Sequence, residues 1–268
     1  MRNEDLMPQD LYEGDPLTPD EREAYESDLI SFCDRELDLL EEIVGLSVLY
    51  VGGASPLWLE GLSQRIGEPG ALVALEADTG RVAEGRELLR EADLVAPVRL
   101  VAGDVFRPPF ERATFDLAYS AGLFHELDVR ERSAGEALAA LVSMVRAGGR
   151  VATSDFVDSV PAVQLEDEEQ QRELARELSG AELYGIGTPE RLAALHETQL
   201  AEVRWYLLPP HPIRHLGRVV LAEGEPGGLP ARVRRKMLGH RQALRERIRR
   251  EGYTRPSTIY VEGLVTCD

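Results

Sequence analysis

The hydrophobic rhythm of the chain switches back and forth along its first two thirds. Short, largely apolar runs sit at Ser47–Val51, Ala71–Leu75, Val98–Val101 and Phe115–Tyr119, and Arg150–Thr153 opens a fifth. Runs of this length and texture predict strands buried on both faces. Between them, Leu57–Ile66, Thr79–Glu91 and Ala134–Val145 carry apolar residues at helical spacing, and Gly148-Gly149 reads as the stop of the third helix. Strands alternating with helices predict a parallel sheet with right-handed crossovers. Ahead of this pattern, Thr18-Pro19-Asp20-Glu21 offers a cap, a first-turn proline and first-turn acids, so a helix is expected from there to about Ile43. Residues 1–17 read as an irregular arm. In the last third, Glu166–Leu178 and Pro189–His196 read as helices, and Ala201–Leu208 and Thr258–Val265 as strands six and seven. The insertion between those strands holds Pro/Gly-rich stretches, Glu223–Pro230 among them, and a basic helix at about Ala231–Arg250.

Charge and composition narrow the choices. The net charge of −18 repels nucleic-acid phosphates, so no nucleic-acid partner is expected. No apolar run is long enough for a membrane span, and the acidic N-terminus has no signal core, so a cytoplasmic location without membrane contact is expected. Cys33 and Cys267, near opposite ends, suggest neither a disulfide framework nor a metal cluster. The basic helix and the acidic first helix can meet within one molecule or between two, which allows a homodimer. Alternatively the arginines form a lid over an anionic acceptor.

In an open α/β sheet, ligands bind beyond the carboxyl ends of the strands, so the residues just after each strand are the candidate site. After the first come Gly52-Gly53-Ala54-Ser55-Pro56, where glycine permits close approach of a ligand to the backbone. After the second come Glu76 and Ala77. A carboxylate there can accept two hydrogen bonds from a ribose diol. After the third, Gly103-Asp104-Val105 offers an acceptor for an exocyclic amine, with Val105 beside the ring; Asp104 can equally cap a turn. After the fourth come Ser120-Ala121-Gly122 and then Phe124-His125-Glu126.

These stretches resemble the class I S-adenosylmethionine-dependent methyltransferases. The resemblance runs from about Ser47 to Asp155 and rests on Val48–Ala54, Ala74–Glu76, Ala102–Val105, Phe115–Tyr119 and Met144–Arg150, the last similar to that family's turn before strand five. It implies a doubly wound, seven-stranded, mostly parallel α/β sheet with the last strand antiparallel. It implies one domain over 1–268, comprising an arm and helix (1–46), a cofactor-binding core (47–156), a helical cap segment (157–200) and a helical insertion (209–255). It also implies S-adenosylmethionine as methyl donor, S-adenosylhomocysteine as product, and cofactor contacts from Tyr50, Gly52, Gly53, Ala54, Glu76, Ala77, Gly103, Asp104, Val105, Ser120 and Ala121. The chain departs from the family pattern at Tyr50, where an acid is usual, and at Ala54 and Pro56, where glycine is usual.

The expected activity is methyl transfer to a small molecule. Its pocket would be closed by the arm (Tyr12, Tyr25), by residues 166–184 and by residues 209–253. His125 and Asp155 are the candidate bases, each with an alternative as an ordinary loop or surface residue. No metal is expected, because His125 has no ligand-spaced neighbours. Two other readings stay open. A degenerate glycine turn suits a methyltransferase-like binding protein without catalysis. An NAD(P)-dependent oxidoreductase would want G-x-G-x-x-G, which Gly52–Leu57 does not supply.

Overall fold

The computed structural model describes residues 17–127, 134–157, 162–180, 186, 188–222 and 231–267. Tyr12 and Tyr184, the arm before Leu17 and the Glu223–Pro230 stretch lie outside them.

Seven strands form one sheet: β1 (Ser47–Val51), β2 (Ala71–Glu76), β3 (Val98–Ala102), β4 (Phe115–Ala121), β5 (Val145–Phe156), β6 (Ala201–Leu208) and β7 (Thr258–Leu264), in the order β3-β2-β1-β4-β5-β7-β6. β1 to β5 pair in parallel, and β7 is antiparallel to both β5 and β6. This is the doubly wound α/β sheet the sequence implies. β2 and β3 extend the sheet on one side of β1, and β4 starts the other side. The chain therefore reverses its winding between β1 and β4, which opens a crevice at their carboxyl ends.

The helices are α1 (Pro19–Leu37), α2 (Pro56–Ile66), α3 (Thr79–Leu88), α4 (Ala134–Met144), α5 (Ala162–Ser179), α6 (Pro189–Glu197), α7 (Leu216–Ala222) and α8 (Ala231–Glu251). The strands alternate their side chains between two apolar layers, which is why the runs read as largely apolar. Leu49, Val51, Ala118, Val151 and Val261 pack with Leu138 and Leu141 of α4 and Leu192 of α6. Val48, Tyr50, Leu72, Leu117 and Tyr119 pack on the other face with Leu37, Leu59, Leu62 and Ile66.

Several helix ends differ from expectation: α3 stops at Leu88 rather than Glu91, and α5 starts at Ala162 rather than Glu166. α1 stops at Leu37, and Leu40 and Ile43 are buried from a turn segment instead. Positive φ at Glu42 (54°) and Gly45 (77°) reverses the backbone there, which a helix does not tolerate. α4 stops at Met144 rather than at Gly148-Gly149. Val145 already pairs with Phe115, so these glycines lie within β5. A Cβ at Gly149 would stand 2.6 Å from Asp116 O and 2.5 Å from Val145 Cγ1. The glycine serves close strand approach, not a helix cap. α7 falls inside the insertion, where no helix was expected.

The chain divides into two compact units. One holds the sheet, α2, α3, α4, α6 and α1 from Cys33 onward. The other holds α1 as far as Phe32, α5, α7 and α8. Within the second unit, described side chains of the basic α8 pair with acids of α5. Arg247 meets Glu166, Arg232 lies 3.1 Å from Glu177, and His240 lies 3.6 Å from Glu173. The acids of α1 find other arginines. Asp28 pairs with Arg214 at 2.8 Å, whose hydrogen bonds hold its carboxyl down to about 2, and Glu21 pairs with Arg218 at 2.7 Å. The side chains of Arg234, Arg235, Lys236 and Arg241 lie outside the described residues. No described helix is long and apolar enough to cross a membrane.

Candidate functional site

The carboxyl ends of β1, β2, β3 and β4 stand side by side. Val51 is level with Leu75 on one side and Ser120 on the other, and Glu76 is level with Ala102. The expected cofactor residues after these strands therefore share one edge.

Gly52 leaves β1 at φ 111°, a conformation only glycine adopts readily, while its N–H donates to Leu75 O at 3.4 Å. A Cβ there would also approach Ala121 O to 3.1 Å, so the end of β4 packs directly against the turn. Pro56 opens α2 with Ser55 at its cap position, and Ala54 is half-buried against the second apolar layer. At the end of β2, Glu76 is 9% exposed, and its Oε1 accepts the Asp78 N–H at 2.8 Å. Ala77 follows on the surface, and Asp78 caps α3 by accepting from Gly80 N and Arg81 N. Gly103 N donates to Glu76 O at 2.9 Å, tying the β3 turn to the acid. Asp104 Oδ1 accepts the Phe106 N–H at 2.9 Å, so the carboxylate does shape its own turn. Val105 is buried in the first apolar layer.

Tyr50 lies below the turn and is 2% exposed. Its ring stands 6.5 Å from Trp58 and 5.8 Å from Tyr119, and its hydroxyl lies 3.7 Å from where a Gly53 Cβ would be. Burial pushes its pKa well above the usual range, so the position holds a neutral phenol where the family pattern has a charge.

On the other side of the crevice, β5 places Asp155 beneath the 3₁₀ turn Phe124–Glu126. Its side chain is fully buried and that of His125 is 32% exposed. His125 Nδ1 lies 2.7 Å from Asp155 Oδ1. The two residues singled out separately in the sequence thus form one pair. Gly122, at φ 69°, makes the room, since a Cβ there would stand 3.2 Å from His125 Cε1. The Phe156 ring flanks the imidazole at 5.5 Å.

One step deeper, a buried polar relay escaped sequence reasoning. Ser120 Oγ lies 3.1 Å from Thr153 Oγ1, Thr153 Oγ1 lies 3.1 Å from His196 Nε2, and His196 Nδ1 lies 2.9 Å from Leu192 O. The only sequence signal is the polar run Thr153-Ser154-Asp155 inside a buried strand. His196 is fully buried, and desolvation depresses its pKa from 6.5 to about 4. The carbonyl can only accept, so neutral His196 carries its proton on Nδ1 and accepts from Thr153. The unfolded chain takes up a proton at His196 below about pH 6.5, and the folded chain resists until about pH 4. Stability is therefore expected to fall with pH across that window, by about 3 kcal/mol in all. Urea unfolding between pH 4.5 and 7 should show this slope, and His196→Gln should flatten it; equal slopes would place the proton uptake elsewhere.

Among the described residues no group of three His, Cys, Asp or Glu side chains could hold a metal ion. Residues 48–149 match the family model described as a methyltransferase domain. That match covers less than half of the chain. The chain is also 29% identical over 118 residues to a ubiquinone/menaquinone biosynthesis C-methyltransferase, UbiE, of Idiomarina loihiensis. That match spans 44% of this chain and 45% of the relative, so the chain matches about half the length of that curated relative. In fold, the chain resembles geranyl diphosphate methyltransferase in complex with S-adenosylmethionine (TM-score 0.57, 15% identity, 94% of this chain and 93% of the other). It also resembles the YcgJ protein of Bacillus subtilis (TM-score 0.56, 16% identity, 89% and 100%).

Proposed function

We propose that the protein transfers a methyl group from S-adenosylmethionine to a small-molecule acceptor, releasing S-adenosylhomocysteine. One observation carries this reading: the Gly52 turn, the buried carboxylate of Glu76 and the Gly103-Asp104 turn occupy adjacent strand ends at the point where the sheet reverses its winding. The residues suit that cofactor. Glu76 supplies acceptors for a ribose diol, Asp104 an acceptor for the adenine amine, and the Gly52–Ala54 backbone approaches the ligand without side-chain obstruction. Ser120 and Ala121 close the edge from the β4 side.

The bound cofactor supplies a methyl group already activated on a positively charged sulfur. The protein's task is to hold two reactants in line, which in favourable cases accounts for about 7–11 kcal/mol of a barrier. The elements outside the core, α5, α7 and α8, are the additions in which acceptor choice would reside. Pairing of Arg232 and Arg247 with α5 acids leaves less support for an arginine lid over an anionic acceptor.

Calorimetric titration with S-adenosylmethionine, S-adenosylhomocysteine and NAD tests the reading. Binding of the first two and not the third is expected. NAD binding alone, or silence toward all three, would overturn it.

A further inference from the structure

Two strand ends place the adenosine, and the order of the sheet then says where the rest of the cofactor goes. With adenine beside Asp104 at the end of β3 and ribose beside Glu76 at the end of β2, the order β3-β2-β1-β4 carries the remainder over β1 and β4. That remainder is an amino acid, and its ammonium is a cation. A cation that leaves water needs a carboxylate or several oxygen acceptors in return. β1 offers no charge of its own there, because Tyr50 is a buried neutral phenol.

A carboxylate reaches this layer from α1. The last turn of α1, from Cys33 on, belongs to the same compact unit as the sheet. Cys33 and Leu37 pack in the layer of Tyr50 and Tyr119, and residues three and four apart share a helix face. Cys33 Sγ lies 3.8 Å from Leu57 O, and a Cβ on Gly61 would stand 2.6 Å from Leu37 Cδ1, so this turn is pressed onto α2. Glu36 sits between them and is 2% exposed. Burial raises the pKa of the Tyr119 phenol, and Glu36 is the charge that adds most to the rise. Glu36 acts on Tyr50 as well, after burial and Cys33. Arg35, its neighbour on α1, lies within its electrostatic reach, so the turn presents both signs of charge, as an amino acid does.

The surroundings suit an ammonium. Tyr50 and Tyr119 are partners across β1 and β4, and with Trp58 they form a trio of rings 5.8 to 6.5 Å apart, whose faces attract cations. The Tyr50 hydroxyl lies 3.7 Å from where a Gly53 Cβ would be, directly under the glycine turn. The Tyr119 hydroxyl faces Ser154, which stands two positions nearer the carboxyl edge than Ala152, the sheet partner of Tyr119. Both hydroxyls are at most 1% exposed, and neither comes within hydrogen-bond distance of a partner among the described residues. Buried polar groups left unmatched are costly, so this corner is built to receive a polar guest.

We propose that Glu36 binds the ammonium of the cofactor's amino-acid end, with the Tyr50 and Tyr119 hydroxyls beside it, and so supplies from α1 the acid that the family pattern has at position 50. This rests on the methyltransferase reading above.

The test is calorimetry on the full chain with S-adenosylhomocysteine and with its deaminated analogue, which keeps the adenosine, sulfur and carboxylate. The sulfur of both is neutral, so the ammonium is the cation that distinguishes them. The wild type is expected to bind S-adenosylhomocysteine about tenfold or more tighter than the analogue. Glu36→Gln should lose about tenfold or more for S-adenosylhomocysteine and keep its affinity for the analogue, a selective loss that a merely structural role would not produce. Unchanged S-adenosylhomocysteine affinity in Glu36→Gln overturns the proposal. So does an equal loss for both ligands, or a wild type that binds both alike. If melting curves show that Glu36→Gln does not fold, a crystal of the wild type with S-adenosylhomocysteine decides: an amine within about 4 Å of the Glu36 carboxylate supports the proposal, and one farther away overturns it. Failure of the wild type to bind S-adenosylhomocysteine overturns the methyltransferase reading itself, and the proposal with it.

Discussion

Glu76→Ala is expected to weaken S-adenosylhomocysteine binding by about a hundredfold while the protein stays folded. Hydrogen bonds to a charged group contribute about 1.5–3 kcal/mol each. Two of them to a ribose diol, partly offset by water entering the emptied space, leave about 3 kcal/mol, and each 1.4 kcal/mol is tenfold in affinity. The folded state loses less. Glu76 also accepts the Asp78 N–H, but Asp78 is exposed and water can replace that partner. Glu76→Gln, which keeps one oxygen acceptor, should fall between alanine and wild type. Calorimetry and a melting curve on the same samples check both halves. Wild-type affinity in Glu76→Ala would remove this carboxylate from the cofactor site. A collapse of folding would make it a structural cap instead.

Glu76 could be found without coordinates for a physical reason. A parallel sheet buried on both faces writes each strand as an apolar run, and the first charged residue after the run marks the strand's end. That logic located Gly52, Glu76, Gly103-Asp104 and Ser120 on one edge, which the pairing of Val51, Leu75 and Ser120 then aligned. It located element ends less well. The Gly148-Gly149 pair looks like a helix stop in a linear reading, but the crowding of Gly149 by Asp116 O is a fact of tertiary contact. Side-chain partnerships were the least legible. Charge patterning says that α8 needs acids but not whose, and α5 provides them. Ser120, Thr153 and His196 are remote in sequence and meet only because β4, β5 and α6 stack. His125 and Asp155 were both expected just after strands; Asp155 instead lies within β5, and the pairing of the two across 30 positions was not visible.

That pairing sets the other large effect. Asp155→Ala is expected to destabilise the fold by about 3 kcal/mol, because the N–H groups of Phe124, His125 and Phe156 lose their acceptor together. Each buried donor left unmatched costs about 1–3 kcal/mol, and the half-buried ones among them recover part of that by meeting water. In a chain of this size such a loss lowers the melting temperature by about 10 °C. Asp155→Asn would keep one oxygen acceptor but present an amide on its other side, so this variant should lie between alanine and wild type. The order Asp, Asn, Ala in melting temperature is the signature of a carboxylate that holds the 124–126 turn by accepting from its backbone. Equal melting temperatures for all three would mean that the turn holds its shape without Asp155. The imidazole would then lose its anchor, since the same oxygens make both sets of bonds.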